Sequence, residues 1–578
     1  MRKKCIIAIF IIIFTARSQE FITPFEKDKF TSTTYDECIA FYKQLDQRYE
    51  TVKMTEAGET DIGRPLHIAV ISKDGYFTPV EARKHGKAVL FIINGIHPGE
   101  PDGVDACMMF ARNLCAPNPG FGHRSLPDNV VIVIIPIYNA DGSINRNNFT
   151  RANQIGPREY GFRANSQNRD LNRDFIKCDT KNAGSYVKIF RQWKPEIFVD
   201  THTSDGADYQ YIMTYIATQH NKLEQPLADY MTQNLVPFLE SDMKSKNFEM
   251  CPYVTTFKST PDSGIVEFPE TPRYSTGYAS LFNSIGFVTE THMLKTHEQR
   301  VFAQYEFLVS ITKKANSDYE TIIKNKKTAD ENFKSKNVFV LKWMLDSNIT
   351  TPLLFKGYET KYKSSEISGF DRLYYDRSSP YEKYIPFYNE YIPDITVTKP
   401  ETYIVPQAWR QVIDLLKLNG VEMERLNADK SIEVESYYIE SYDTRTPPYE
   451  GHYLHSNVQL RKVIQERNFY KGDYIIHTNQ ESNNFIMHVL EPQSSDSYFN
   501  WNFFDAILQQ KEGFDSYVFE DIADSLLNSK PGLREEFEKK KSDDEKFSND
   551  AQAQLKFIYD NTILEPEFMR YPAGRVVK

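Results

Sequence analysis

Between residues 65 and 295 the chain alternates runs that are apolar at nearly every position with stretches whose apolar residues recur at helical spacing. The apolar runs are AVLFIIN (88–94), VVIVIIPIY (130–138), IFVDTHT (197–203) and GFVTETHML (286–294). The amphipathic GSYVKIFRQW precedes the third run and ASLFNSI the fourth. A strand with no polar face must be covered on both sides, which calls for helices above and below it. The pattern therefore predicts an α/β domain whose central mixed, largely parallel sheet is flanked by helices.

Past residue 313 the pattern changes. Residues 314–337 (KANSDYETIIKNKKTADENFKSK at their centre) read as a charged linker or helix. Four further runs, NVFVLKWML, ETYIVP, YKGDYIIHT and SNNFIMHVL, read as strands of a smaller β-rich domain with one inserted helix, AWRQVIDLLKLNG. Helical patterns return from 501. The expected partition is an α/β catalytic domain at 19–313, a linker at 314–337, a β-rich accessory domain at 338–500 and a helical segment at 501–578. The first eighteen residues stand apart: Arg2, Lys3 and Lys4, then an apolar run from Ile6 to Phe14, then Ala16-Arg17-Ser18. That is the layout of a cleaved signal peptide, and the apolar run is well short of the roughly 20 residues of a membrane span. The expectation is a secreted or periplasmic protein with no membrane span.

Length and charge narrow the class. A chain of 578 residues calls for two or three domains. A net charge of −10 speaks against nucleic acid as a partner, since phosphate would be repelled. Five of the six cysteines lie beyond the leader and form no CxxC pair, which argues against thiolate zinc ligation and leaves disulfide pairing open.

The first apolar run ends in His97-Pro98-Gly99-Glu100. One His-x-x-Glu match is worth little, because about one is expected by chance in a chain with 12 histidines. A second match, His488 to Glu491, falls in an apparent strand, where positions three apart face opposite ways and cannot share an ion. His97 and Glu100 instead straddle a Pro-Gly break ahead of a helix, which puts both on one side. Catalytic zinc takes three protein ligands, and His202, where IFVDTHT gives way to polar loop, supplies the third. Asn139-Ala140-Asp141-Gly142 and Glu290-Thr291-His292 follow other strands, and sites in open α/β sheets form at such carboxyl ends. The segment 145–175 is dense in Arg and Asn, side chains suited to a carboxylate-bearing substrate.

These residues, together with Asp170-Leu171-Asn172-Arg173-Asp174-Phe175, occur in the order found in zinc carboxypeptidases of the carboxypeptidase A type, and the chain resembles that family over roughly residues 30–310. The resemblance implies one Zn2+ per chain on His97, Glu100 and His202, Glu290 as general base, and Asn172 and Arg173 clamping the substrate's terminal carboxylate. It implies Arg151 as the arginine that polarises the scissile carbonyl, with Arg146 and Arg163 as competitors. Tyr274 is the candidate for the family's mobile tyrosine, with Tyr278 beside it. The chain departs from many members in carrying Gly99 where they have Arg. His292 reads as a structural histidine or a partner behind the metal, and Glu267 and Asp262 as candidates for the pocket floor. The expected activity is removal of the C-terminal residue from a peptide or protein with a free carboxylate. The alternatives are a zinc amidase acting on cell-wall peptides or N-acyl amino acids, and a non-catalytic peptide- or glycan-binding protein.

Overall fold

The computed structural model describes residues 21–116, 124–563 and 567–577. The leader expected at 1–18 lies outside the described residues. Two compact units form: one comprises 21–399, 414–422 and 478–496 among the described residues, the other 400–413, 423–477 and 497–577. The strands at 338–398, expected to open a separate domain, thus belong with the first unit, and the second is assembled from three stretches of chain.

The first unit is built on an eight-stranded sheet: β1 (Val52–Glu59), β2 (Pro65–Ile71), β3 (Ala88–Ile93), β4 (Val130–Ile135), β5 (Ile197–Ser204), β6 (Met213–Ala217), β7 (Met250–Pro252) and β8 (Ile285–His292). Their spatial order is β1-β2-β4-β3-β5-β8-β6-β7. The four middle strands β4, β3, β5 and β8 run parallel, and antiparallel pairs join β1 to β2, β2 to β4 and β8 to β6. β3 and β4 are buried at every position, as their unbroken apolar sequences require. Helices Asp102–Cys115 and His297–Ser317 contribute to the main core, and Lys181–Trp193 places Tyr186 and Phe190 around Phe91.

Residues 314–337 take the helical one of the two expected forms. They complete the helix His297–Ser317 and form a second, Tyr319–Ser335, which buries Ile322, Lys326, Ala329 and Phe333. SNNFIMHVL is a helix, Asn483–Leu490, rather than a strand. His488 and Glu491 are therefore not on opposite faces of a strand. His488 Nδ1 lies 3.0 Å from Ser494 Oγ, and burial pushes its pKa down to about 4.

A long hairpin, Thr351–Ser364 with Asp371–Tyr388, extends from the first unit. Its root pairs in parallel with Ile265–Val266. Gln210 donates to the Gly357 and Tyr381 carbonyls at 3.0 and 2.9 Å, and the Tyr211 hydroxyl donates to the Leu354 carbonyl at 3.1 Å. In the second unit a six-stranded sheet is accompanied by helices Ser516–Leu527, Leu533–Asp543 and Ala551–Thr562, which share a core around Phe519, Phe537 and Phe547. The five described cysteines are all free thiols.

Gly103 marks where helix and sheet come closest. A Cβ there would lie 1.9 Å from Thr201 Oγ1 and 2.3 Å from Thr201 Cβ, and Thr201 is itself buried. Overpacking of this kind costs about 1–3 kcal/mol. Gly103→Ala is expected to lower the urea midpoint of unfolding accordingly, and an unchanged midpoint would contradict this packing.

Candidate metal centre

The turn after β3 is closed by a hydrogen bond from the Glu100 amide to the His97 carbonyl, 2.9 Å. It turns both side chains to one side, where they meet His202 from β5. One potential ligand atom from each of His97, Glu100 and His202 lies within 4.8 Å of the others, and these three form the one such cluster among the described residues. All three are buried. The two Nδ1 atoms are 3.1 Å apart, and His202 Nδ1 is 3.0 Å from Glu100 Oε2.

The far side of each imidazole faces a carboxylate. His97 Nε2 lies 2.9 Å from Asp170 Oδ1. His202 Nε2 lies 2.9 Å from Asp200 Oδ2, at ion-pair distance but off the direction of a hydrogen bond. A carboxylate at Nε2 holds the proton there and leaves the Nδ1 lone pair facing the cluster, the arrangement a metal-binding histidine requires. Asp200 sits two residues before His202 in an extended strand, so both leave one face of the sheet. Ser275 Oγ donates to Asp200 Oδ2 at 2.6 Å. Asp170 accepts from Arg163 Nε and Nη2 at 3.0 and 2.8 Å.

Glu100 is held from both ends. Arg151 Nη1 donates to Oε1 and the Thr203 amide to Oε2, each at 2.8 Å. Burial alone would raise its pKa, but Arg151 and the imidazoles outweigh burial and hold it well below the usual carboxylate range. Burial opposes a charged His202 as well, yet Asp200 and Glu100 raise its pKa well above the ordinary value. Glu290, the register partner of His202 on the parallel strand β8, goes the other way. Burial first, and then the Glu100, Asp200 and Glu270 carboxylates, push it up to about 8 against the pull of His202. Its Oε2 has no hydrogen-bond partner. Two imidazole lone pairs and a carboxylate, with acidic groups left short of counter-charge, fit a divalent cation with nitrogen and oxygen ligands such as zinc.

A cavity of about 290 Å3 opens over the cluster and takes in Glu290, Arg151, Arg163, Asn172, Arg173 and Tyr274. All eight sequence-predicted site residues thus border one space. Arg173 lies with its guanidinium carbon 4.3 Å from the Tyr274 ring centre, and Asn172 Oδ1 accepts from the Ser275 amide at 3.2 Å. Arg146 is elsewhere, bonded to the Ser32, Thr33 and Glu159 carbonyls, so of the two competitors to Arg151 only Arg163 reaches the cavity. Tyr278 is fully buried, with its hydroxyl 2.7 Å from Asn419 Oδ1. His292 is structural: Nε2 lies 3.0 Å from the Ala207 carbonyl and its ring packs on Tyr209. Glu267 and Asp262 do not line this cavity. Glu267 is turned into a neighbouring one, and Asp262 is 3.8 Å from Lys383. Thr203, Ser204 and Asp205 complete the walls with Ile216, Tyr253, Phe268 and Glu270, and the last four had no motif to announce them. The place over Gly99 is filled by Arg151, whose Cδ would be 2.8 Å from a Cβ there.

With this geometry in view, residues 38–226 match the family model described as zinc carboxypeptidase. That stretch is what the chain shares, by similarity, with zinc carboxypeptidases. The carboxypeptidase 2 of Trichophyton rubrum is 21% identical to it over 489 residues, covering 82% of this chain and 84% of that protein. The carboxypeptidase 2 of Trichophyton equinum is 19% identical over 434 residues, covering 72% and 74%. Among solved structures, a metallo-carboxypeptidase from Burkholderia cenocepacia overlaps 50% of this chain and 70% of its own at 15% identity and a TM-score of 0.38. The carboxypeptidase A of Helicoverpa armigera overlaps 50% and 74%, at 15% identity and a TM-score of 0.37.

Behind the His97–Glu100–His202 cluster lies a fully buried network on Asp102. Its Oδ1 meets His297 Nδ1 at 2.7 Å, and its Oδ2 accepts from Arg300 Nε at 2.8 Å and Thr203 Oγ1 at 2.6 Å. Thr203, whose amide holds Glu100, is thereby fixed by Asp102. Burial would raise the Asp102 pKa, but Arg300 and His297 outweigh it and hold it below the usual range. That stabilisation is complete above the ordinary carboxylate pKa and fades as pH falls toward the lowered one. Breaking a buried ion pair costs about 3–5 kcal/mol. Asp102→Asn is expected to lose about that much stability at neutral pH and to flatten the acid limb of the stability–pH curve, measured by denaturant titration between pH 3 and pH 7. Asp170→Asn and Asp200→Asn are each expected to weaken zinc binding about 10–100-fold in a chelator competition, with the fold intact.

Proposed function

We propose that the protein is an exported zinc metallocarboxypeptidase that hydrolyses the last peptide bond of peptides and proteins, with His97, Glu100 and His202 holding one Zn2+. One observation carries the reading: the histidine–glutamate cluster, a carboxylate oxygen of Glu290 without a partner, and the Asn172–Arg173 pair border one cavity.

Each part has a task. Zinc, when bound, supplies a Lewis acid that makes water acidic enough to ionise near neutral pH. Glu290, half-buried and with one carboxylate oxygen short of a donor among the described residues, takes the proton from the attacking water and returns it to the departing amine. Arg151, fixed by Gln154 Oε1 at 2.6 Å and the Thr203 carbonyl at 2.9 Å, stands in the cavity wall as the positive group facing the carbonyl oxygen. Such preorganised charge commonly contributes about 3–4 kcal/mol to lowering the barrier. Arg173, lying over the Tyr274 ring, and Asn172 grip the substrate's terminal carboxylate, which confines cleavage to the chain end. Export rests on the charge and hydropathy pattern of residues 1–18, and among the described residues no helix is long and apolar enough to cross a membrane.

Release of the terminal residue from free-carboxylate peptides is expected to stop when zinc is stripped by a chelator, to return when zinc is restored, and to collapse on the C-terminal amides. Equal turnover of acids and amides would move the activity to an amidase. Glu290→Gln is expected to keep its zinc and lose at least about 1000-fold in kcat, and full turnover by that variant would exclude Glu290 as the base.

A further inference from the structure

The second unit holds a cavity of its own, about 280 Å3, bordered by Trp409, Arg467, Ile507, Phe568 and Arg570. Arg467 projects from the strand His455–Phe469 and is only 8% exposed. A guanidinium buried to that degree ordinarily has a carboxylate against it. Arg467 forms no ion pair among the described residues. Nη1 and Nη2 reach the Tyr571 and Pro572 carbonyls at 3.4 and 3.0 Å, and Nε finds no acceptor. Of five N–H donors, two are engaged by neutral oxygens. Burial, then the nearby Arg570 cation, push its pKa down to about 10. Arg570 has Glu567 at 3.0 Å, but that carboxylate is 72% exposed and weakly coupled through solvent. The cavity thus carries two guanidiniums and the Lys511 ammonium against one carboxylate, that of Glu567. Beside them its wall has an apolar part, the Trp409 indole, edge-on to Phe504 at 4.9 Å, with Ile507 and Phe568, and the polar Gln509.

We propose that this cavity is a binding site for a small organic acid, a carboxylate carried on an aromatic or aliphatic body. The planar fork of an arginine matches a carboxylate bidentately, and bringing one to Arg467 compensates a charge that the fold buries alone. The indole and its aliphatic neighbours cover the body of the ligand. Inorganic phosphate offers the charge without the body, so the apolar walls would stay unfilled. Two sources share the chemistry, a free acid and the C-terminal residue of a peptide.

The test uses the full chain with its first cavity silenced by Glu290→Gln and Arg173→Met, and titration calorimetry with phenylacetate, phenylacetamide, inorganic phosphate and acetyl-Gly-Phe. Phenylacetate is expected to bind one per chain, at least about tenfold more tightly than phenylacetamide or phosphate. Arg570→Gln and Trp409→Ala are each expected to weaken it about tenfold, with Arg570→Gln leaving the unfolding midpoint in place. Acetyl-Gly-Phe binding as tightly as phenylacetate assigns the site to chain ends, and weaker binding of the peptide assigns it to free acids; either supports the proposal. No saturable binding of phenylacetate, equal affinity for acid and amide, equal affinity for phosphate, or unaltered binding by both variants would overturn it.

Discussion

Acidic groups crowd the carboxyl ends of three parallel strands, and the first unit is organised around keeping them there. Glu100 and Asp200, both buried, and Asp170 and Glu290, both half-buried, surround two imidazoles. The same chemical group is displaced in opposite directions: Arg151 and the imidazoles drive Glu100 down in pKa, while burial and then the neighbouring carboxylates drive Glu290 up. Arg151 and Arg163 neutralise one flank. The rest is left for a cation. Parallel pairing produces the crowding, since the register brings the end of β3 level with Asp200 and pairs Glu290 with His202.

Much of this could be read from the chain. The strands around the site are apolar at nearly every position, so their ends, and the polar residues at those ends, stood out. The three ligand candidates and Glu290 were legible for that reason. Asp200 was not singled out, although it lies two residues from His202, where strand alternation puts both on one face. Asp170 and Asp102 act across long separations, and no local pattern marks them. Tyr278 is four residues from Tyr274, one helical turn on, yet the short helix Ser275–Ser280 turns it into the core while Tyr274, at its cap, stays at the cavity. The helix at 483–490 misled because a fully buried segment of eight residues shows no usable period, and β-branched and aromatic residues tilt the reading toward strand.

Domain organisation was the least legible level. A linear reading assigns each stretch to the domain of its neighbours, but residues 414–422 and 478–496 return to the first unit while the chain on either side of each belongs to the second. Such returns depend on contacts between distant segments. Arg191 Nε, for example, donates to the Asn419 carbonyl at 2.9 Å across 228 residues, and nothing near either residue in the sequence foretells it. The free cysteines add that no covalent link among the described residues enforces this arrangement. It rests on packing, hydrogen bonds and ion pairs such as Arg273–Asp496 and Lys194–Glu481, each at 2.8 Å.

The long hairpin bears on how the cleft behaves as a mechanical object. Its strands clasp Gln210 and Tyr211, just beyond Ser204 and Asp205 of the cavity wall, and its root is zipped to Ile265–Val266, just ahead of Phe268 of the same wall. Two separate stretches of the wall are therefore fastened to a single brace. Neither can swing outward without bending backbone ladders that run far from the opening, so the mouth has a fixed gauge, and whatever enters must already be slim enough to pass.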